Sequence, residues 1–566
     1  MSIPVKPPVK PRPRPAATVI IARDHDDGVE IFMMRRSEQM DFGAGNYVFP
    51  GGALDADDGD AHWASLCDGL DDGEASRTLN LPQGGLAYWI AAVRECFEES
   101  GLLLCRDRHG ELVTHDDDSH AGELAELRAE LVAGKRSFAE VLSAHKLRPA
   151  LDQLAYLSHW ITPPGGTRRY DTRFLVTAVP LRQTASHDGN EAIAHQWIIP
   201  RVALEQHRQG EISMTPPTVK TLETLAQFSN SEALMTYVRS PRDIPAILAR
   251  RAIARDGKRT LRPGDSAYAE VGKLDPDETG QVSCEIIPGT TTRLSPLVRR
   301  ITAPNPGFMT GPGTNSYLIG AGSDIAIVDP GPVIPSHIEA LLAEVERGNG
   351  RVRWLLATHT HTDHSPAANV IREKTGAELI GRPPPEHGNQ DRLFAPGRIP
   401  ANGERMQIAG CTVRAIHTPG HASNQVIYLL EEENMLFTGD HVMQGSTVVI
   451  GPPDGNMVHY LESLRAAQAL NAEWIAPGHG FLIDQPTKAI DRIIKHRMER
   501  EAKVLEAVRA VTLSNADGGT LEDVVVKAYD DVPAKVHPVA SRSLHAHLLK
   551  LQAEGQVSKT GERWTA

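Results

Sequence analysis

Short apolar runs that give way abruptly to polar residues recur through the second half of the chain. They predict strands ending at loops rich in histidine and aspartate. Val298 to Thr302, Ser316 to Ile319 and Ile325 to Val328 come first, then Trp354 to Ala357, Val413 to Ile416, Met435 to Phe437 and Trp474 to Ala476. Runs this short read as buried strands rather than helices. Beyond them the period lengthens. Lys488 to Val511 spaces Ile490, Ile494, Leu505 and Val508 as a helix does, Leu521 to Tyr529 gives a second helix, and Ser541 to Ala553 a third with Leu544, Leu548 and Leu551 on one face. Gly555 to Ser558 and Arg563-Trp564 read as a short hairpin.

The first half opens with strands at Thr18 to Ala22 and Val29 to Arg36 around the turn residues Asp24 to Gly28. Ala87 to Ser100 follows the helical period through Ile90, Val93 and Phe97, and Gly101 supplies the stop. After Leu234 the pattern turns irregular. Arg239 to Arg262 holds eight arginines and lysines and reads as a solvated helix at a domain junction, while Gly264 to Gly280 is acidic and turn-rich.

At 566 residues the chain exceeds one core and suggests about three or four domains. A formal charge of −13 argues against a protein that coats nucleic acid or an anionic membrane along its whole surface, and suits a small, specific substrate. No apolar run reaches membrane-spanning length, so no membrane partner is expected. Cys67, Cys96, Cys105, Cys284 and Cys411 are odd in number and lack paired spacing, which points to a reducing compartment. The Pro-rich, basic start, Met1 to Pro15, reads as a disordered tail with no export segment, so a cytoplasmic location is expected.

Candidate chemistry concentrates in the loops after the second-half strands. Thr358-His359-Thr360-His361-Thr362-Asp363-His364 follows one, and His421, Asp440 and His479 follow three others, each preceded by glycine. Imidazole and carboxylate are ligands that zinc, iron and manganese accept. The ordered set His-x-His-x-Asp-His, Gly-His, Gly-Asp, Gly-His resembles the metallo-β-lactamase fold superfamily. The resemblance implies an αββα sandwich in which His359, His361 and His421 hold one metal, Asp363, His364 and His479 hold a second, and Asp440 bridges them. It implies two zinc ions, or iron or manganese, whose bridging water loses a proton near neutral pH and attacks a carbonyl or phosphoryl centre, with Asp363 in the catalytic set. His417, four residues before a ligand, reads as a loop residue, and His441 is compatible with either role.

A second candidate site lies in the first half. Glu95, Glu98 and Glu99 stand at i, i+3 and i+4 of a helix and share one face. Such oxygen ligands suit magnesium or manganese and, through the metal, a pyrophosphate; a solvated helix face is the alternative. Arg94-Glu95-Cys96-Phe97-Glu98-Glu99-Ser100-Gly101 resembles the second half of a Nudix box, and Phe49-Pro50-Gly51-Gly52 its opening. The resemblance implies a Nudix α/β/α sandwich in which Arg94 steadies the glutamates, Glu95, Glu98 and Glu99 bind Mg or Mn, and Glu98 and Glu99 act in catalysis on a diphosphate linkage. The chain departs from the family's spacing: Ala53 to Val93 counts 41 residues, 28 more than usual. Arg35-Arg36-Ser37, Phe49-Pro50-Gly51-Gly52, Trp160-Ile161-Thr162-Pro163 and Arg168 to Thr172 are similar to the coenzyme A diphosphatase subgroup, some of whose members carry an insertion here. Glu191 reads either as a further carboxylate or as a surface residue.

The order helix, helix, helix, hairpin at the end of the chain is that of a winged helix, and resembles the tail of a lactamase-fold branch that includes an endoribonuclease. From 486 to 566 there are 13 Lys and Arg against 11 Asp and Glu, a surplus of 2 that favours a substrate wall over a nucleic-acid face.

The expected architecture is therefore multidomain α/β and α+β: a tail at 1–15, a Nudix-like domain at 16–235, a linker at 236–290, a metallo-β-lactamase-like domain at 291–485 and a winged helix at 486–566. The expected function is metal-dependent hydrolysis of a small molecule, such as a coenzyme A or nucleoside diphosphate derivative. The first alternative is an endoribonuclease on single-stranded RNA. The second is a non-catalytic Nudix sensor joined to a nucleic-acid-binding winged helix. Assembly into a homo-oligomer is left open.

Overall fold

The computed structural model describes residues 12–39, 43–67, 69–113, 118–164, 168–178, 192–445 and 447–566. Most of the expected tail and Glu191 lie outside the described residues. The chain forms two compact units, Met1–Ala249 and Arg250–Ala566.

The first unit is built on a mixed sheet in the order Ala246–Leu248, Ala155–Ile161, Tyr170–Ala178, Arg14–His25, Gly28–Arg36 and Tyr47–Val48, with Gly51–Ala53 and Ala192–Ile198 pairing alongside. Side chains of a strand alternate between faces, and here both faces are covered. Ala17, Val19 and Ile21 join Phe32 and Met34 in one core with the helix Leu86–Ser100. Ile20 and Ala22 join Ile31 and Met33 in the other, under Pro216–Leu225 and Ser231–Arg239. This is the expected α/β/α sandwich. The inserted residues form a 3-10 turn at Ala56–Gly59 and helices at Trp63–Leu66 and Asp72–Thr78. Trp63 anchors them: its ring is buried in the first core and its Nε1 donates to the Asp57 carbonyl at 2.7 Å.

The second unit begins inside the stretch expected as a linker. Instead of a solvated helix, the basic segment forms a hairpin, Arg250–Ala254 with Gly257–Leu261, followed by the helix Tyr268–Leu274. The hairpin wins because Ala252, Ala254 and Leu261 bury a small core with Val271 and Cys284, leaving most of the charged side chains at the surface. Glu270 on that helix clasps Arg300 through two hydrogen bonds of 2.7 and 2.8 Å, both side chains buried, and also accepts the Leu482 amide at 2.9 Å.

Two six-stranded sheets follow. One runs Thr291–Arg293, Val298–Thr302, Asn315–Ile319, Asp324–Val328, Arg351–Leu356, Glu378–Ile380. The other runs Arg405–Ile408, Cys411–His417, Val426–Leu430, Met435–Gly439, Trp474–Pro477, Ile483–Asp484. Their inner faces share one core, in which the Tyr317 and Phe437 rings meet at 5.1 Å. Helices Pro335–Arg347 and Ala367–Thr375 cover one outer face and Met457–Gln468 the other, giving αββα layers.

Helix Pro486–Ser514 continues from this sandwich into the C-terminal domain: Ile490 belongs to the sandwich core, Val504 and Val508 to the terminal one. Leu521–Ala528, His537–Ala553 and the hairpin Ser558–Thr560 with Arg563–Thr565 complete the winged helix around buried Trp564. Among the described residues no helix is long and apolar enough to cross a membrane, and Cys96, Cys105, Cys284 and Cys411 are buried free thiols.

Candidate metal centre

Parallel pairing brings the donor loops to one edge. Asp324–Val328 runs beside Arg351–Leu356, and Met435–Gly439 beside Trp474–Pro477, so the loops after all four strands emerge at the same ends. Two clusters form there: His359, His361, His421 and Asp440 in one, Asp363, His364 and His479 in the other, with donor atoms in each within 4.8 Å.

His361 presents Nδ1, which lies 2.9 Å from His359 Nε2 and 3.1 Å from His421 Nε2. Asp440 faces both clusters. Its Oδ2 is 3.7 Å from His421 Nε2, while its Oδ1 is 3.3 Å from His364 Nε2 and 3.2 Å from His479 Nε2. Asp363 Oδ2 is 3.5 Å from both His364 Nε2 and His479 Nε2.

Acceptors behind the rings set which nitrogen faces inward. The His421 Nδ1 sits 2.7 Å from the Val449 carbonyl, the His479 Nδ1 3.2 Å from the Gly313 carbonyl and the His364 Nδ1 2.9 Å from Asp329 Oδ2. Each acceptor calls for a proton on Nδ1 and leaves the Nε2 lone pair for the interior. Asp329 is itself fixed by the Thr358 amide at 2.7 Å and hydroxyl at 2.8 Å, and Thr314 Oγ1 donates to Asp363 at 3.1 Å. Asp329 and both threonines lie outside the ligand set that the sequence motifs imply. The buried, left-handed backbone of Asp329, φ +48°, is the structural sign of a special role.

The electrostatics fit a cation. Burial and the neighbouring histidines push His359 well below its ordinary pKa, and burial lowers His361 to about 3. Burial also opposes charge on His364 and His479, yet the carboxylates around them, Asp363 and Asp440 for His364 and Asp440 first for His479, raise both. Asp440 stays ionised: burial works against its charge, but His479 and His364 hold it well below the carboxylate range. His364 Nε2 and Asp440 Oδ1 are buried with no hydrogen-bond partner among the described residues. Inward-facing lone pairs and an orphaned carboxylate oxygen are costly unless a metal ion takes them.

Two glycines let the loops close on this point. A Cβ on Gly478 would stand 2.7 Å from Asp440 Oδ1 and 2.8 Å from His364 Cε1. On Gly420, at φ +153°, it would meet the Tyr460 backbone at 2.4 Å. His417 instead bonds the Ser423 carbonyl at 3.0 Å, and His441 is buried beside the Tyr460 ring; neither joins a donor cluster.

In the first unit Arg94 organises the glutamates. Its Nη1 reaches Glu95 at 2.9 Å and Glu98 at 3.2 Å, while Nε and Nη2 grip Asp58 at 3.0 and 2.9 Å. Asp58 comes from the insertion and is buried; a run of aspartates gave no sign of it. Glu99 accepts the Gly51 amide at 2.7 Å, so the opening glycines and the helix meet as the box requires. Burial pushes Glu95 up to about 8, against the pull of Arg94, and raises Glu98. The three glutamates are held close to Arg94 and Gly51, but they do not form a three-donor cluster among the described residues.

Comparison with known proteins matches three family models in order along the chain: the NUDT19 Nudix domain at 70–225, the metallo-beta-lactamase superfamily at 309–479 and the beta-lactamase associated winged helix domain at 520–564. An atrochrysone carboxyl ACP thioesterase of Aspergillus chevalieri is 32% identical over 47% of this chain and 84% of its own length. A beta-lactamase-like protein 2 homolog of Drosophila melanogaster is 31% identical over 49% of this chain and 95% of its own. A Nudix hydrolase structure from Alicyclobacillus acidocaldarius is 29% identical, covering 40% of this chain and 96% of that one, with a TM-score of 0.34. With its ligand loops, sandwich and tail all matched in sequence, the chain belongs to the metallo-β-lactamase superfamily and is a hydrolase that carries a Nudix domain ahead of that fold.

Proposed function

We propose that the second unit hydrolyses a thioester at a dinuclear centre held by His359, His361 and His421 on one side, Asp363, His364 and His479 on the other, and Asp440 between them. The observation that carries this reading is the two-sided Asp440 carboxylate, with Oδ2 toward one cluster and Oδ1 toward the other. Two bound zinc, iron or manganese ions would supply an acidified water and polarise the scissile carbonyl. The residues do the rest. Asp363, the most open of the two carboxylates with 28% of its side chain exposed against 13% for Asp440, faces solvent and accepts the proton released on attack. Acceptors on Asp329, Val449 and Gly313 keep three of the histidine rings in the tautomer that serves the ions. A thiolate leaves without needing a strong acid, because its conjugate thiol has an ordinary pKa of about 8.5. The thioesterase among the relatives supports the choice of bond.

For the first unit the proposal is Mg- or Mn-dependent cleavage of a diphosphate linkage, as in coenzyme A, through Glu95, Glu98 and Glu99. Together the two units would process one acylated nucleotide at both of its labile bonds. The free, buried thiols of Cys96, Cys105, Cys284 and Cys411 support a cytoplasmic setting.

The test is metal analysis of the purified full chain, followed by assays on acyl-coenzyme A, acyl-carrier thioesters, free coenzyme A and single-stranded RNA. Thioester turnover lost in Asp440→Asn is the expected result. RNA cleavage lost in the same variant, without thioester turnover, would replace this reading with the endoribonuclease one.

A further inference from the structure

We propose that the winged helix is part of the metal centre's support, with Arg497 and Ser543 as positioning residues that fix the loop at 447–450 and, through the Val449 carbonyl, the ring of His421. The inference rests on reading His359, His361, His421 and Asp440 as a metal site.

The His421 Nδ1 bond to the Val449 carbonyl, at 2.7 Å, decides which way that ring faces. Residues 447–450 have no helix or strand hydrogen bonds of their own, so something else must hold the peptide plane. Both neighbours of Val449 are pinned from the C-terminal domain. Arg497, on helix Pro486–Ser514, donates Nη2 to the Val448 carbonyl, and Ser543, on helix His537–Ala553, accepts the Ile450 amide at 3.2 Å. The Val448 and Ile450 side chains are buried in a core that also takes in Ala546 of the same terminal helix.

Arg497 is only 2% exposed, and its guanidinium lies 5.5 Å from the centre of the Tyr460 ring. Tyr460 in turn donates its hydroxyl to the His441 carbonyl at 3.0 Å, one residue beyond Asp440. A buried guanidinium is costly to place and makes strong, directional hydrogen bonds. Here it acts on the peptide next to a histidine's acceptor. A ligand whose outer hydrogen bond is lost typically binds its metal about 10 to 100-fold more weakly. Rotation of the Val449 peptide would produce such a loss without touching any of the seven donors.

The experiment uses full-length protein and titrates Co(II) and Zn(II) against a chelator, with Co(II) absorption and thermal melting of the chelated protein as separate readouts. In Arg497→Met and Ser543→Ala, affinity at the site served by His421 is expected to fall about 10 to 100-fold with an altered Co(II) spectrum, and the other site to hold. Arg497→Lys, which keeps a donor, should recover part of the loss. If the chelated protein melts lower while both sites keep wild-type affinity and spectrum, the contacts are packing alone and the proposal is overturned. Should Arg497→Met fail to fold, Ser543→Ala, which removes a single acceptor, decides by the same criterion. A wild-type chain that binds no ion overturns the metal-site reading and this inference together, whereas two ions bound equally in all variants overturns only the inference.

Discussion

Asp329 Oδ2 lies 2.9 Å from His364 Nδ1, and both side chains are sealed from solvent. The carboxylate therefore sets the tautomer and orientation of a candidate ligand it does not replace. Asp329→Asn keeps the shape but removes the charge, and its amide can turn an N–H toward His364. Affinity at the Asp363, His364, His479 site is expected to fall about 10 to 100-fold, as measured by chelator competition, with the other site less affected.

Gly478 is a steric prediction. A methyl group there would press on Asp440 Oδ1 and His364 Cε1, two atoms of the centre itself. Gly478→Ala should fold, because the sheets and their core are untouched, yet lose bound metal and at least about 100-fold in turnover. Metal retention at wild-type stoichiometry would show that Asp440 is not needed where the geometry puts it.

The two proposed activities should separate. Glu98→Gln removes a charge gripped by Arg94 in the first unit. Diphosphate turnover is expected to drop at least about 100-fold, with thioester turnover unchanged in the same preparation. Equal loss of both would mean that one site does both reactions.

His337 supplies a pH dependence. Its ring is fully buried, with Nε2 2.9 Å from Ser316 Oγ, and burial lowers its pKa from 6.5 to about 4. The unfolded chain takes up the proton first, so stability is full above 6.5, declines as pH falls from there toward 4 and levels off below. The loss amounts to about 3 kcal/mol. Urea unfolding of chelated protein at several pH values should show a shallower decline in His337→Gln than in wild type.

Much of the site was legible because its donors are crowded in sequence. His359, His361, Asp363 and His364 fall within one loop, and each remaining donor follows a glycine at the end of an apolar run. The supports were not legible, since they act over distance or through the backbone. The carbonyls of Val449 and Gly313 carry no side-chain signature, and Asp58 looks like any solvated aspartate until Arg94 folds onto it. The hairpin at Arg250 hid for another reason. Its inward positions are small alanines while Ile253 is 37% exposed, so the apolar signal points away from the core it builds.

The Glu270 to Arg300 clasp determines where the molecule can be cut. Truncation at residue 290 would strand a guanidinium inside the fragment with no counter-charge, and would also release the Leu482 amide three positions from His479. Severing the peptide between Ala249 and Arg250 leaves both partners on the same piece, so the half that carries the candidate metal centre should survive excision only with the helix Tyr268–Leu274 attached.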